Sequence, residues 1–279
     1  MSYPRLLVFL IILILLSSSA PALPAGAQPS GMPTVAVTPV QAAPGEHVTL
    51  QGTGWPPGAA LVARLYEAEN TTGPGADMTG VFQAGADGRF TVQALVPSTL
   101  FSGVSRGGLT VVPGGYTIVV RSGPDLAAST PFSVGPPSGA GLLWGEVWID
   151  YNASGRRDSG DRAAGELALV TIAGPEPSLQ ERTIRTDGRG RFLAAPLPPG
   201  IYQLTGRARL QEIDLRAGAT VSVQAEQALQ VDLLLRPAPL DPARPQCFIE
   251  TGYCIDHDPF WAYFLARGGV DTFGFPVSR

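Results

Sequence analysis

The chain has 279 residues, with 19 basic and 23 acidic side chains and a net charge of −4. With no basic stripe to neutralise phosphates, that balance argues against a nucleic-acid partner. Every basic side chain is an arginine, and the missing lysine excludes Schiff-base catalysis and lysine–asparagine isopeptide crosslinks.

Arg5, an unbroken apolar run over 6–16 and small residues over 17–27, ending Ala25-Gly-Ala27, follow the order of a secretory signal cleaved after Ala27. The run is shorter than the roughly 20 residues that span a bilayer. An uncleaved signal is the one route to a membrane, and in either case the remainder works extracellularly or in the cell envelope. Glycine (34) and proline (27) together exceed a fifth of the chain. Between them lie short runs rich in Val, Leu and Thr, the pattern of an all-β protein.

A first module is expected over 32–134, with strands at 35–38, 48–52, 60–66, 81–84, 90–95, 116–121 and 130–134. Pro44-Gly45, Trp55-Pro-Pro-Gly58, Asp87-Gly88 and Pro113-Gly-Gly115 carry turn chemistry between them. Seven short strands at that spacing predict a sandwich. The rhythm over 38–58, ending Gly52-Thr-Gly-Trp-Pro-Pro-Gly58, resembles the bacterial immunoglobulin-like repeats of cell-surface proteins.

Residues 135–141, Gly-Pro-Pro-Ser-Gly-Ala-Gly, read as a linker. A second module follows over 142–236, with strands expected at 142–149, 169–173, 182–186, 191–194, 201–205, 219–223 and 230–235. Two motifs recur between the modules. Asp87-Gly-Arg-Phe90 and Pro113-Gly-Gly-Tyr116 in the first are matched by Asp187-Gly-Arg-Gly-Arg-Phe192 and Pro199-Gly-Ile-Tyr202 in the second. The Asp-Gly pairs suit hairpin turns, and the tyrosine rings offer apolar faces to a core with their hydroxyls near the surface.

After the first strand of the second module, oxygen-bearing side chains fall at loop positions 1 (Asp150), 3 (Asn152), 5 (Ser154), 9 (Asp158) and 12 (Asp161), with Gly155 at position 6. A twelve-residue loop wraps a calcium ion with that spacing, the backbone carbonyl of Arg156 adding a further oxygen. Calcium takes 6–8 oxygens at roughly 2.3–2.6 Å, so the donors suffice. Ser154 is a weaker donor than Asp, Asp161 has a short arm for bidentate binding, and Arg156, Arg157 and Arg162 thin the negative field. An Asx-rich turn bonding its own backbone is the alternative. An extracellular site of this kind binds calcium with a dissociation constant on the order of 10⁻⁴–10⁻³ M and serves stability.

The order Gly145-Glu-Val-Trp-Ile-Asp150, the loop itself, Thr186-Asp-Gly188, Phe192 and Pro199-Gly-Ile-Tyr202 resembles the B-type repeats of bacterial surface adhesins. Those repeats are related to the prealbumin-like fold of carboxypeptidase regulatory domains. The resemblance covers nearly the whole second module. It implies a calcium-supported, seven-stranded, non-catalytic sandwich acting as a spacer or stalk.

Residues 237–246 are a Pro-rich linker, and 247–279 a Cys-containing terminal repeat. Cys247 and Cys254, seven positions apart in an exported chain, are expected to pair. Closing so small a loop contributes about 2.5 kcal/mol in the chain-entropy picture. Asp258 as cap, Pro259 in the first turn and Gly268 or Gly269 as terminator predict a helix. Its stripe of Phe260, Trp261, Phe264 and Leu265 is either a local core or a ligand platform. Glu250-Thr-Gly-Tyr-Cys254, Gly268-Gly-Val270 and Phe273-Gly-Phe-Pro276 resemble the Leu-Gly-Phe-Pro repeats of wall-associated proteins. That resemblance implies association with the envelope or with wall polymer.

His47 and His257 are the only histidines. His257 stands between Asp256 and Asp258, where helix capping explains the carboxylates. No His-Glu-x-x-His pair or phosphate-cradling loop occurs, so no catalytic residue is assigned and the chain reads as no enzyme. The expected fold is all-β: two tandem seven-stranded immunoglobulin/prealbumin-like sandwiches and a short disulfide-stapled helical C-terminal repeat. The expected function is an exported structural or adhesive scaffold of the bacterial envelope, with cell-wall polymer or another surface protein as partner. Two alternatives stay open. One is a carbohydrate- or peptidoglycan-binding protein that stacks sugars on Trp148, Trp261 or Tyr263; the other is an accessory fragment of a larger exported hydrolase.

Overall fold

The computed structural model describes residues 32–101, 107–151, 155–174, 181–210, 213–237, 246–248, 250–255, 260–261, 263–264, 267 and 269–275. The expected signal and most of the Pro-rich linker lie outside these.

The first half carries β1 (Thr34–Thr38), β2 (Gln41–Ala42), β3 (His47–Thr53), β4 (Ala60–Glu67), β5 (Gly75–Asp77), β6 (Phe82–Gln83), β7 (Phe90–Leu95), β8 (Thr99–Leu100), β9 (Leu109–Thr110), β10 (Gly114–Ser122) and β11 (Leu126–Val134). One sheet runs β1-β3-β7; another runs β2-β11-β10-β4-β5, with β6 paired to β4. Alternation along the strands sends Val48, Leu50 and Ala94 of the first sheet into the same buried cluster as Leu61, Leu65 and Ile118 of the second. Full burial of each Leu or Ile contributes about 1.5–3 kcal/mol.

The Gly52-Thr-Gly-Trp55 rhythm has a packing reason. Trp55 is fully buried, its Nε1 donating to the Thr34 carbonyl at 3.2 Å, and its ring lies 6.0 Å from Phe90. A Cβ at Gly52 would collide with the Phe90 ring, so only glycine lets the two aromatics close on β3.

The second half carries β12 (Gly141–Ile149), β13 (Arg162–Ala163), β14 (Leu169–Ala173), β15 (Arg182–Arg185), β16 (Arg191–Leu197), β17 (Gly200–Leu210), β18 (Ile213–Val223), β19 (Ala228–Gln230) and β20 (Leu233–Pro237). The sheet order is β13-β12-β20-β18-β17-β14-β15, with β16 and β19 also paired to β12. β12 changes partners along its length. Leu143–Glu146 faces β16, whereas Val147–Ile149 runs parallel to β20. A Cβ at Gly145 would strike the Val231 carbonyl, so the change of partner needs glycine there. Leu143, Val147, Val170, Phe192, Leu204 and Leu215 share a second buried cluster.

Each of the expected long strands has a counterpart, with two kinds of difference. β17 and β18 reach eleven residues each, because Arg207 and Arg209 point outward between inward Gly206 and Ala208 and so continue the alternation. The two- and three-residue strands β2, β5, β8, β9 and β13 were not expected at all. The repeated tyrosines bury their rings but, unlike the expectation, do not send both hydroxyls to the surface. Tyr116 Oη donates to the Val112 carbonyl at 2.9 Å and accepts its N–H at 3.0 Å in a buried setting. Tyr202 Oη donates to the Pro198 carbonyl at 2.7 Å.

The connector 135–141 is packed at both ends. Gly135 and Pro137 are buried, Gly135 donates its N–H to the Ala42 carbonyl, and the Ala140 carbonyl accepts from Glu226. In the terminal repeat, β21 (Gln246–Cys247) pairs with β22 (Cys254–Ile255), with Cys247 directly opposite Cys254. Phe260, Trp261, Tyr263 and Phe264 are helical, whereas the expected cap at Asp258 lies outside the described residues. A further short helix, Gly269–Phe273, was not expected. Among the described residues, no helix is long and apolar enough to cross a membrane.

Candidate functional site

The twelve-residue loop is held at both ends by strands. β12 delivers Asp150, whose N–H bonds the Leu235 carbonyl of β20 at 2.9 Å and whose side chain is buried. β13 follows immediately after Asp161, which is only 9% exposed. Gly155 takes the left-handed conformation (φ 76°) at position 6 and donates its N–H to Asp150 Oδ2 at 2.9 Å. Asp158 donates its N–H to Asp161 Oδ2 at 2.8 Å, and its own Oδ1 accepts from Gly160. Asn152 and Ser154 lie outside the described residues.

Two carboxylates at positions 1 and 12 are therefore buried in one short loop, a costly arrangement unless cations answer them. Arg236 answers the first: its Nε is 3.4 Å from Asp150 Oδ2, and its Nη2 donates to the Gly155 carbonyl at 2.6 Å. No donor among the described residues reaches Asp161 Oδ1. Hard carboxylate and carbonyl oxygens suit calcium or magnesium, not a thiol-seeking metal. No cluster of three or more Asp, Glu, His or Cys side chains forms a metal group among the described residues, so the Asn, Ser and backbone positions of the loop would have to complete the shell. A bound calcium would supply positive charge to both carboxylates and tie β12 to β13. Glu250 of the terminal repeat has its carboxyl pushed above the ordinary range, by desolvation first and also by the charge of Asp150.

The expected stacking residues divide. Trp148 lies under Arg157, whose guanidinium carbon is 3.6 Å from the ring centre, and its Nε1 donates to Glu146 Oε2. Trp261 belongs to a ring cluster, stacked on Phe264 at 5.7 Å and edge-on to Phe248 at 6.2 Å. Phe264 is buried, so this part of the stripe is local core. Tyr263 is half exposed, its ring 6.1 Å from that of exposed Phe273 and with Arg267 over it at 5.1 Å, and Phe260 is exposed as well. Phe273, read from the sequence only as part of the Phe273-Gly-Phe-Pro276 motif and not as a stacking residue, meets Tyr263 from the unexpected second helix.

His47 stands exposed on β3 opposite Leu95, and His257 lies outside the described residues. Two open grooves mark the first half. One of about 570 Å³ runs past Leu95, Val96 and Phe101; the other, about 410 Å³, is walled by Arg64, Arg121 and Val62. Among the described residues that line them, Asp77 is the one acid of each, and neither has a His or Cys.

No family model matches the chain, and no curated protein matches it in sequence. Among solved structures it is similar to macromomycin, at 23% identity and TM-score 0.31, over 37% of this chain and 98% of that one. It is also similar to a tetra-tandem repeat from the extending region of a large adhesion protein, at 14% identity and TM-score 0.28, over 69% of this chain and 49% of that one. The major pilin subunit of Bacillus cereus is 13% identical at TM-score 0.21, over 72% of this chain and 70% of the pilin. At these values the likenesses decide nothing beyond what the chain's own residues show.

Proposed function

We propose that this chain is an exported, non-catalytic scaffold of the bacterial surface whose second module is fastened by calcium at the Asp150–Asp161 loop. One observation carries the reading: Asp161 Oδ1 is buried without a donor among the described residues, on a loop where the Gly155 N–H already bonds Asp150 and the Asp158 N–H bonds Asp161. Asp150, Asp158 and Asp161 would hold the ion, with Asn152, Ser154 and the Arg156 carbonyl as further donors. A Cys247–Cys254 bridge would staple the terminal repeat. Its support is the opposed register of the two residues, with no free cysteine among the described residues. Calcium titration of the mature chain, followed by thermal melting, tests the loop. The expected result is a rise in Tm at millimolar calcium that magnesium does not match and that Asp161→Asn removes; an unchanged Tm sinks the ion site.

A second reading has its own observation, the exposed rings of Phe260 (54%), Tyr263 (50%) and Phe273 (49%) in the terminal repeat, the last two 6.1 Å apart. Aromatic rings half exposed to solvent suit stacking on sugar rings of wall polymer. Co-sedimentation with purified cell wall tests it: retention lost in Tyr263→Ala, with the fold intact, supports a binder, and no retention of the wild type removes it.

A further inference from the structure

The two repeated Asp-Gly turns have the same local chemistry and opposite surroundings. Asp87 accepts the Arg89 N–H and is paired loosely with the Arg89 side chain, and the Asp87 side chain is 68% exposed. Asp187 accepts the N–H groups of Arg189 and Arg191 at 2.8 and 2.9 Å, yet its side chain is only 3% exposed. The first module supplies the difference. Thr110 of β9 donates its N–H to Asp187 Oδ2 at 2.7 Å, across 77 residues of sequence. Val111 donates toward the Ser98 carbonyl next to β8, so the Thr110 N–H points from the opposite edge, the one the second module covers.

Charge matches across the same contact. Arg189 Nη1 donates to Glu67 Oε1 at 2.8 Å, and Arg191 Nη2 lies 3.3 Å from the same oxygen. Arg191 Nε is 3.4 Å from Asp187 Oδ2, and the Arg191 side chain is 10% exposed. Two carboxylates and two guanidiniums thus form a neutral network, buried at Asp187 and Arg191 and half exposed at Arg189, in which losing one partner of the buried pair leaves an uncompensated charge.

We propose that the Asp187–Arg191 turn of the second module is a docking key for a surface of the first formed by Glu67 and the open edge of β9, holding the two modules as one rigid body. The connector 135–141, bonded to Ala42 on one side and Glu226 on the other, ties the same two modules together. A scaffold built this way transmits orientation from one module to the next, and the Asp-Gly repeat is a structural turn in one module and an interface in the other. The proposal rests on this network alone and stands whether or not the loop binds calcium.

Amide exchange in the full mature chain reads the joint directly, because the Thr110 N–H bonds across it. The wild type is expected to protect Thr110 to the degree of neighbouring strand amides. Asp187→Asn keeps an oxygen for the turn but places an amide donor opposite Thr110. It should speed Thr110 exchange by about tenfold or more while Ile172 and Leu204 hold. Glu67→Ala alters no backbone of the second module and should speed Thr110 exchange in the same direction. Thr110 exchanging freely in the wild type, or unmoved by Glu67→Ala, overturns the proposal. If Asp187→Asn loosens the whole second module, Glu67→Ala alone decides.

Discussion

Arg157 lies over the face of Trp148 with its guanidinium carbon 3.6 Å from the ring centre, while its two terminal nitrogens reach Glu146 and Asp232 at 3.4 and 3.7 Å. The indole that the sequence offers as a sugar platform is thereby covered by the chain itself. Arg157→Ala should uncover it, giving a red-shifted Trp148 emission against a Trp148→Phe control and a loss of about 0.5–1 kcal/mol, the range for a solvent-facing cation–π pair. Saccharide titration of the wild type should leave Trp148 emission unchanged; a quench assigned to Trp148 contradicts this assignment.

Calcium at ten to a hundred times its dissociation constant should stabilise the fold by about 1.4–2.7 kcal/mol. Asp150→Asn and Asp161→Asn should each abolish the calcium-dependent part. Asp150→Asn should also lower stability without calcium, because Arg236 then faces a neutral amide. Chemical denaturation with and without a chelator measures both effects.

Trp55 anchors the first module's core, so Trp55→Ala should cost about 3–5 kcal/mol. Gly52→Ala should cost about 1–3 kcal/mol by overpacking against Phe90. Trp55→Phe should cost less than Trp55→Ala, through the lost donor to Thr34. Urea midpoints at constant slope rank the three.

The tyrosine hydroxyls predict a pH response. Tyr116 is held above its usual value near 10 chiefly by burial; the bond to Val112 and the charges of Arg191 and Arg189 oppose this, and Glu67 adds to it. Tyr202 is raised by burial. The unfolded chain therefore ionises first. The contribution is whole below about pH 10 and is lost as pH rises from there through the folded-state values. Tyr116→Phe should cost about 1–3 kcal/mol at neutral pH by leaving buried Val112 groups unpaired, and should flatten the alkaline limb of the stability curve.

Local pattern determined a good deal of this protein. Each of the fourteen expected segments overlaps an observed strand, because runs such as Tyr116-Thr-Ile-Val-Val-Arg121 carry a two-residue period that burial on one face imposes. The frame of the loop was legible for the same reason, since an Asp at a strand end and a glycine five residues on fix their own hydrogen bond. Strands of two residues have no period to read, so β8 and β9 exist only because the folded chain sets them side by side. Arg236 meets Gly155 across 81 residues, and Asp187 meets Thr110 across 77. Asp87 and Asp187 open near-identical motifs, yet one faces water and the other a neighbouring module. That difference lies in the path of the whole chain, which no local spacing encodes.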